Sequence, residues 1–142
     1  MDDRHQLSVK HVGHDRFIVQ VRGHHLFVDQ PSEAGGFDTA PTPTELFASA
    51  LASCVAFYAR RYLARHDLPE DGLAVSASFC MAGRPARVSD IAVRLAVPPA
   101  LTDEQRRAVL AVASHCTVHN SLQQPPAVTV ELDAGAEVIA YA

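Results

Sequence analysis

A long helical segment in the first half of the chain limits the possible folds more than any other feature. Thr42 fits the N-cap, Pro43 the first helical position and Glu45 the third, and this pattern predicts a capping box. The helix is expected to run to about His66, a length of roughly 35 Å. Its many Ala and Ser residues let another backbone approach closely, which favours a central, buried helix. One face of the helix carries Leu46, Ala50, Cys54 and Phe57 or Tyr58.

The chain before this helix has the pattern of β-strands. Apolar and polar residues alternate from 6 to 29, and turn residues at 13–15 and 22–24 divide the region into three segments. The region therefore predicts a three-stranded antiparallel meander. A loop at 30–43, rich in proline and glycine, joins the meander to the helix. A loop of this length within a compact domain is usually functional.

Further strands are expected after the long helix. Two longer ones cover 73–81 and 88–97, and two short ones cover 128–132 and 138–141. The resulting order is βββ-α-ββ-α-β(β), which indicates an α+β fold. The length of the chain favours one domain covering residues 1–142.

A second helix is predicted between the two groups of late strands. Thr102 as N-cap and Gln105 at the third helical position indicate another capping box. The helix is expected to end near Cys116. The residues expected to point inward are Leu101, Val109, Val112 and Ala113.

The composition excludes several classes of protein. A net charge of -4 and the lack of any run of lysine or arginine argue against binding to nucleic acid. No segment approaches the roughly 18 consecutive apolar residues of a membrane span, and the first residues lack the apolar core of a signal peptide. Three cysteines, an odd number without an export signal, favour reduced thiols. We therefore expect a cytoplasmic protein that contacts neither nucleic acid nor membrane.

The cysteines are the first candidates for chemistry. A thiol is nucleophilic only as its thiolate, so a reactive cysteine needs a cation, a helix terminus or hydrogen-bond donors to lower its pKa from about 8.5. Cys54 lies in the middle of the long helix and, taken alone, fits a small packing residue better than a nucleophile. Cys80 alternates within a strand and is also interpreted as a packing residue.

Cys116 has polar neighbours and is open to two interpretations. In the first, the imidazolium of His115 or His119 lowers the pKa of the thiol. In the second, His119 and Asn120 satisfy the last carbonyl groups of the preceding helix, and the thiol is incidental. The residues alone favour neither interpretation over the other.

No cofactor or metal site is expected. Cys116-x2-His119 and the pair His24-His25 come nearest to a metal-binding pattern, but no second pair of closely spaced Cys or His residues completes a zinc site. Motifs for nucleotides, flavins and serine hydrolases are also missing from the sequence.

Four segments together resemble the OsmC/Ohr superfamily, and the order of elements matches that superfamily over nearly the whole chain. The segments are the loop Gly35-Gly36-Phe37-Asp38 after Pro31, the helix start Pro41-Thr42-Pro43-Thr44-Glu45-Leu46, the run Ala50-Leu51-Ala52-Ser53-Cys54, and the distal His115-Cys116-Thr117-Val118-His119-Asn120-Ser121-Leu122.

The resemblance implies an intertwined homodimer with two antiparallel sheets around long central helices. It also implies a thiol peroxidase that reduces organic hydroperoxides, with a dithiol such as dihydrolipoamide as the reductant. By this resemblance Cys54 is the peroxidatic cysteine and becomes a sulfenic acid. Cys116 is the resolving cysteine that closes a disulfide with it. Glu45 matches the glutamate that holds an activating arginine over the peroxidatic thiol.

The activating arginine has no clear counterpart in this chain. In the superfamily it comes from the N-terminal strands or the loop before the helix, and the loop at 29–42 contains no arginine. Arg16 and Arg22 are the remaining candidates. Glu45 also precedes Cys54 by nine residues, which places the two about half a turn out of phase on a helix.

Two functions therefore stay open. The first is the peroxidase working through Cys54 and Cys116. The alternative is a non-catalytic dimer that binds a small apolar or thiol-reactive ligand at the subunit interface. An arginine within hydrogen-bonding reach of Cys54 would favour the enzyme, whereas its absence together with an apolar tunnel would favour the binding protein.

Overall fold

The computed structural model describes residues 4–135 and 138–141, and it confirms a mixed α+β fold with antiparallel sheets. The order is three strands, a long helix, two strands, two helices and two strands. The elements are β1 Ser8–Gly13, β2 Arg16–Val21, β3 His24–Val28, α1 Pro43–Arg65, β4 Ala74–Ala82, β5 Arg87–Ala96, α2 Asp103–Ala113, α3 Thr117–Gln123, β6 Val130–Asp133 and β7 Val138–Tyr141.

The chain forms two compact units. The first consists of Met1–Ser53 and Val75–Arg94, and the second of Cys54–Ala74 and Leu95–Ala142. Helix α1 therefore begins in the first unit and ends in the second. Strands pair only with neighbours in sequence, giving one three-stranded sheet and two two-stranded sheets in the described part of the chain.

The N-terminal meander of the first unit is confirmed. β1 pairs with β2 and β2 with β3, both antiparallel. Val9 lies opposite Val19, and Phe17 lies opposite Val28. Because side chains on a strand alternate between faces, this register gathers these four apolar residues on one face of the sheet.

Helix α1 starts as the capping box predicts. The backbone N–H of Glu45 donates to Oγ1 of Thr42 at 3.2 Å, and the backbone N–H of Thr42 donates to Oε1 of Glu45 at 3.0 Å. These two bonds satisfy donors that a helix start would otherwise leave open. The donors of Thr42, its backbone N–H first, also hold the pKa of the Glu45 carboxylate below its ordinary value.

The buried stripe of α1 differs from the face singled out in the sequence. Ala50 and Phe57 are exposed, and Leu46, Cys54 and Tyr58 are only half-buried. A neighbouring row of small and aliphatic residues, spaced three or four apart, lies in the core instead. The members of this row are Ala48, Leu51, Val55, Ala59 and Leu63.

The loop before α1 folds around a buried carboxylate, Asp29. Its Oδ2 accepts from Oγ1 of Thr39 at 2.6 Å and from the backbone N–H of Thr39 at 3.0 Å, and its Oδ1 accepts from the backbone N–H of Gln30 at 2.8 Å. These donors, the Thr39 hydroxyl first, lower the pKa of Asp29 to about 2 against the opposing effect of burial. Gly36 packs so closely here that a Cβ would lie 2.0 Å from the Gln30 carbonyl oxygen.

In the second unit, α2 has the predicted capping box. The backbone N–H of Gln105 donates to Oγ1 of Thr102 at 3.2 Å, and the Thr102 N–H donates to Oε1 of Gln105 at 2.9 Å. Leu101, Val109 and Ala113 are buried as expected. The inward orientation predicted for Val112 is wrong, because its side chain is 39% exposed.

The predicted position of Cys116 at the end of α2 is also wrong. Helix α2 ends at Ala113, and Cys116 is the N-cap of a separate short helix, α3. The extended backbone of Cys116, with φ -69° and ψ 159°, interrupts the helical path between the two helices. The short strands expected near the C-terminus are confirmed as the antiparallel pair β6 and β7.

Candidate functional site

Cys54 and Cys116 lie side by side in the second unit. Cys54 is on α1 and Cys116 is the N-cap of α3, and the two thiols are near enough for Cys54 to raise the pKa of Cys116. Both are free cysteines. The fold therefore brings together two cysteines that lie far apart in sequence.

The two thiols differ in exposure. Cys54 is partly exposed, whereas Cys116 has 0% relative exposure. A reagent from solvent therefore meets Cys54 first. Cys116 reacts only with a group that is brought to it inside the protein.

The environment of Cys116 favours its protonated form. Burial, as the largest effect, raises the pKa of this thiol because a thiolate is poorly solvated inside the protein, and the adjacent Cys54 raises it further. The backbone N–H of His119 donates to Sγ of Cys116 at 3.4 Å and opposes this rise. The net result is a thiol that stays protonated at neutral pH.

The side chains of the polar residues around Cys116 bond to backbone carbonyl groups. Nδ1 of His119 donates to the carbonyl oxygen of Ser114, and Nδ2 of Asn120 donates to that of His115 at 3.2 Å. Nδ1 of His115 bonds back to the carbonyl oxygen of Ala111 at 2.8 Å. Of the two interpretations, these bonds favour the one in which His and Asn close the end of the helix.

A tyrosine that sequence reasoning missed connects the two helices beside the thiols. Oη of Tyr58 lies 2.7 Å from Oγ1 of Thr117, the residue that follows Cys116. The guanidinium carbon of Arg61 lies 5.4 Å from the centre of the Phe57 ring and 5.9 Å from that of Tyr58. The only signal in the sequence was that Tyr58 lies one turn after Cys54.

The other predicted site residues belong to the first unit. Arg22 is exposed in the turn between β2 and β3 with a left-handed φ of 52°, and Arg16 is half-buried at the start of β2. Among residues 4–135 and 138–141, neither arginine forms an ion pair with Glu45. The carboxylate of Glu45 is instead bound to the backbone of Thr42. Cys80 is exposed on β4.

The first unit also has an apolar groove with a volume of about 450 Å³. Its floor is the face of the meander that the strand register makes apolar, and the first turn of α1 forms its side. The residues that line it are Val9, Phe17, Val19, Val28, Pro43 and Leu46. A groove of this size and composition fits a small apolar ligand or the apolar part of a larger one.

Two negative findings apply to the residues that the structure describes. They contain no group of three or more His, Cys, Asp or Glu side chains arranged to hold a metal ion. None of the helices among them combines the length and the apolar character needed to cross a bilayer.

Solved structures with the same fold come from several bacteria. A Psychrobacter arcticus 273-4 protein assigned to the osmotic stress and detoxification response has a TM-score of 0.78 and 23% identity, over 85% of this chain and 90% of that one. An organic hydroperoxide resistance protein OsmC from Legionella pneumophila has a TM-score of 0.61 and 20% identity, over 83% and 89%. These identities are too low to carry more than the fold.

A third similar structure contains a ligand. It is a Vibrio cholerae O1 biovar eltor str. N16961 protein, assigned to organic hydroperoxide resistance, with captopril bound in one of its active sites. Its TM-score is 0.59 and its identity 24%, over 88% of this chain and 89% of that one. As with the others, the similarity is one of fold.

The sequence comparisons identify the family. No curated protein matches the chain. The model of the OsmC-like protein family matches residues 36–131, which include the end of the loop before α1, the whole of α1 and both cysteines of the site. Together with the similar folds, this match confirms the resemblance seen in the sequence: the chain belongs to the OsmC-like protein family.

Proposed function

We propose that this protein is a thiol-dependent peroxidase that reduces organic hydroperoxides through Cys54 and Cys116. The observation that carries the proposal is the pairing of two free thiols that differ in exposure, one partly exposed and one fully buried. Membership of the OsmC-like family and the hydroperoxide resistance proteins among the similar folds support it.

The exposure of the two cysteines assigns their roles. Cys54, as the accessible thiol, attacks the peroxide: its thiolate sulfur bonds to one oxygen, the O–O bond breaks, and the other oxygen leaves as an alcohol after gaining a proton. Cys54 is then a sulfenic acid. Cys116 attacks the oxidised sulfur, a disulfide forms, and the oxygen leaves as water with the proton of Cys116.

The cycle closes when an external dithiol reduces the Cys54–Cys116 disulfide. A dithiol of the dihydrolipoamide type suits the reaction, since it gives up both electrons and itself becomes a cyclic disulfide. The three free cysteines fit a reducing compartment, and we place the protein in the cytoplasm.

We further propose that the working form is a homodimer, with residues 1–142 as a single domain. Many large apolar side chains of the strands are exposed, a pattern typical of surfaces that other chains cover. On the first and last sheets they are Val9, Val12, Phe17, Leu26, Phe27, Val130, Leu132 and Ile139. In the dimer, Glu45 and either Arg16 or Arg22 are the candidates for the group that activates Cys54.

The alternative is a non-catalytic protein that binds a small apolar or thiol-reactive ligand at the subunit interface. The apolar groove of about 450 Å³ beside the start of α1 favours it. So does the observation that, within the described residues, no hydrogen bond joins Arg16 or Arg22 to either thiol.

Consumption of cumene hydroperoxide with dihydrolipoamide as reductant separates these functions. The peroxidase is expected to turn over repeatedly, and Cys54→Ala to abolish turnover. Cys80→Ala is the matched control, because it removes an exposed cysteine outside the site and should leave the rate unchanged. A wild-type rate no higher than that of Cys54→Ala would favour the binding protein.

A further inference from the structure

We propose that the hydrogen bond between Tyr58 and Thr117 positions Cys116 for its attack on oxidised Cys54. Tyr58 is then a positioning residue for the second chemical step, the closing of the disulfide. This role rests on the peroxidase cycle proposed above.

The bond joins the same two elements that the disulfide would join. Tyr58 lies four residues after Cys54 on α1, hence on the same face and one turn along. Thr117 is the first residue of α3 and follows its N-cap, Cys116. The distance of 2.7 Å between Oη and Oγ1 is that of a well-formed hydrogen bond. It therefore fixes the first turn of α3 against α1 next to the two thiols.

The phenol ring of Tyr58 is itself held in place. The ring of Phe57 meets it edge-on, with centres 5.8 Å apart and planes at 84°. The guanidinium of Arg61 lies over both rings, close enough for cation–π attraction. Two neighbours on its own helix thus limit the movement of the ring, and the hydroxyl group becomes a fixed point for α3.

Closing a disulfide demands accurate placement of both cysteines. The Cβ atoms must lie about 3.5–4.5 Å apart with the dihedral about the S–S bond near 90°. Sγ of Cys116 is already oriented by the backbone N–H of His119 at 3.4 Å. This orientation of Sγ favours disulfide formation only if α3 as a whole stays close to α1. A small displacement of α3 from α1 would slow disulfide formation strongly. In the step, the bond between the two sulfur atoms forms, the S–O bond of Cys54 breaks, and water leaves.

Single-turnover kinetics test this role. Reduced protein receives one equivalent of cumene hydroperoxide, and the sulfenic acid and the disulfide are followed separately with a dimedone-type trap and by mass. In Tyr58→Phe and Thr117→Val we expect disulfide formation to slow by about fivefold, the effect of losing one hydrogen bond. The first step, consumption of the hydroperoxide, should keep its rate.

Matched variants separate positioning from general damage to the fold. Thr117→Ser keeps the hydroxyl and should restore the wild-type rate. Tyr62→Phe is the control for losing a phenol, because within the described residues the Tyr62 hydroxyl forms no hydrogen bond and its ring stacks on His66. The double variant Tyr58→Phe/Thr117→Val should be no slower than either single variant, since both remove the same bond.

The reduction potential gives a readout that a loss of stability would not move. A fivefold fall in the equilibrium constant for closing the disulfide corresponds to a potential about 20 mV less negative in Tyr58→Phe. An unchanged rate of disulfide formation in Tyr58→Phe, when wild type closes the disulfide, would overturn the positioning role alone. A wild-type protein that forms no disulfide at all would overturn the peroxidase cycle and this role with it.

Discussion

The backbone N–H of His119 donates to Sγ of Cys116 at 3.4 Å, so the thiol, and not the usual oxygen of Ser, Thr, Asp or Asn, caps helix α3. The same thiol is fully buried beside Cys54. The hydrogen bond favours a thiolate and burial opposes it, and burial has the larger effect, because the pKa of Cys116 is raised overall. Cys116 is therefore a thiol that is well placed but protonated at neutral pH.

The raised pKa of Cys116 predicts how disulfide formation depends on pH. The attacking species is the thiolate, and below the pKa its fraction rises about tenfold for each pH unit. In a single turnover followed by mass, closing of the disulfide should therefore accelerate steadily from about pH 6 to pH 9. A rate that is flat over this range would show that loss of the Cys116 proton does not limit the step.

The same shift has a consequence for stability. The pKa of Cys116 is higher in the folded than in the unfolded protein. The contribution of its protonated thiol to the free energy of unfolding is therefore complete below the unfolded-state pKa, and it is lost as pH rises through the folded-state pKa. The free energy of unfolding should thus fall in alkaline solution. Cys116→Ala, measured by denaturant unfolding, should lose this part of the pH dependence, whereas Cys80→Ala should retain it.

Removing one cysteine at a time should trap different species. In Cys116→Ser, hydroperoxide should oxidise Cys54 to a sulfenic acid that persists, because the residue that would displace its oxygen is gone. In Cys54→Ser, the buried thiol of Cys116 should stay reduced. Intact mass before and after a dimedone-type reagent distinguishes the two. Oxidation of Cys116 in the second variant would contradict the roles assigned from exposure.

Glu45→Gln tests whether the charge of Glu45 matters beyond the helix start. Glutamine also completes a capping box, so the melting temperature should change little. If the carboxylate holds an arginine in the assembled protein, oxidation of Cys54 should slow by about tenfold, the effect of losing a charge-assisted hydrogen bond of about 1.5 kcal/mol. Arg16→Met and Arg22→Met, measured alongside, would identify the partner. Unchanged oxidation in Glu45→Gln would limit this residue to capping.

Asp29 should make the first unit sensitive to acid. Its pKa is lowered from 3.8 to about 2, so it stabilises the fold above the unfolded-state pKa and ceases to do so as pH falls through the folded-state value. Asp29→Asn should lower the melting temperature at neutral pH and flatten its fall between about pH 4 and pH 2. Asp38→Asn is the matched control, an exposed carboxylate of the same loop. If the melting temperature fell equally with pH in both variants, Asp29 would not be the source of the acid sensitivity.

Local chemistry made part of the fold predictable. Both long helices start at the residues that the capping boxes indicate, Thr42 with Glu45 and Thr102 with Gln105, because a cap depends only on residues three apart. The three-stranded meander was predictable from the alternation of apolar and polar residues between short turns. The break between α2 and α3 was missed because cysteine is not a usual N-cap, and nothing else in residues 114–116 marks a helix boundary.

The arrangement of the site depended on long-range contacts that no local pattern reveals. Tyr58 bonds to Thr117 across 59 residues, and the carboxylate of Asp29 is bound by Thr39 after a loop that turns back on itself. The pairing of Cys54 with Cys116 came from the resemblance to the superfamily and not from the residues. Taken alone, Cys54 fitted a small packing residue, and its proximity to a buried second thiol is what makes it a candidate for a redox pair.

Mapping of the oxidised cysteines tests whether Cys54 and Cys116 form the redox pair. Reduced protein is treated with one equivalent of cumene hydroperoxide, digested without reductant, and examined by mass spectrometry, with Cys54→Ala in parallel. We predict that wild type loses two hydrogen atoms and yields a peptide pair linked by Cys54 and Cys116, and that the variant yields none. Wild type that stays fully reduced while the hydroperoxide persists, or a disulfide that involves Cys80, would contradict the account.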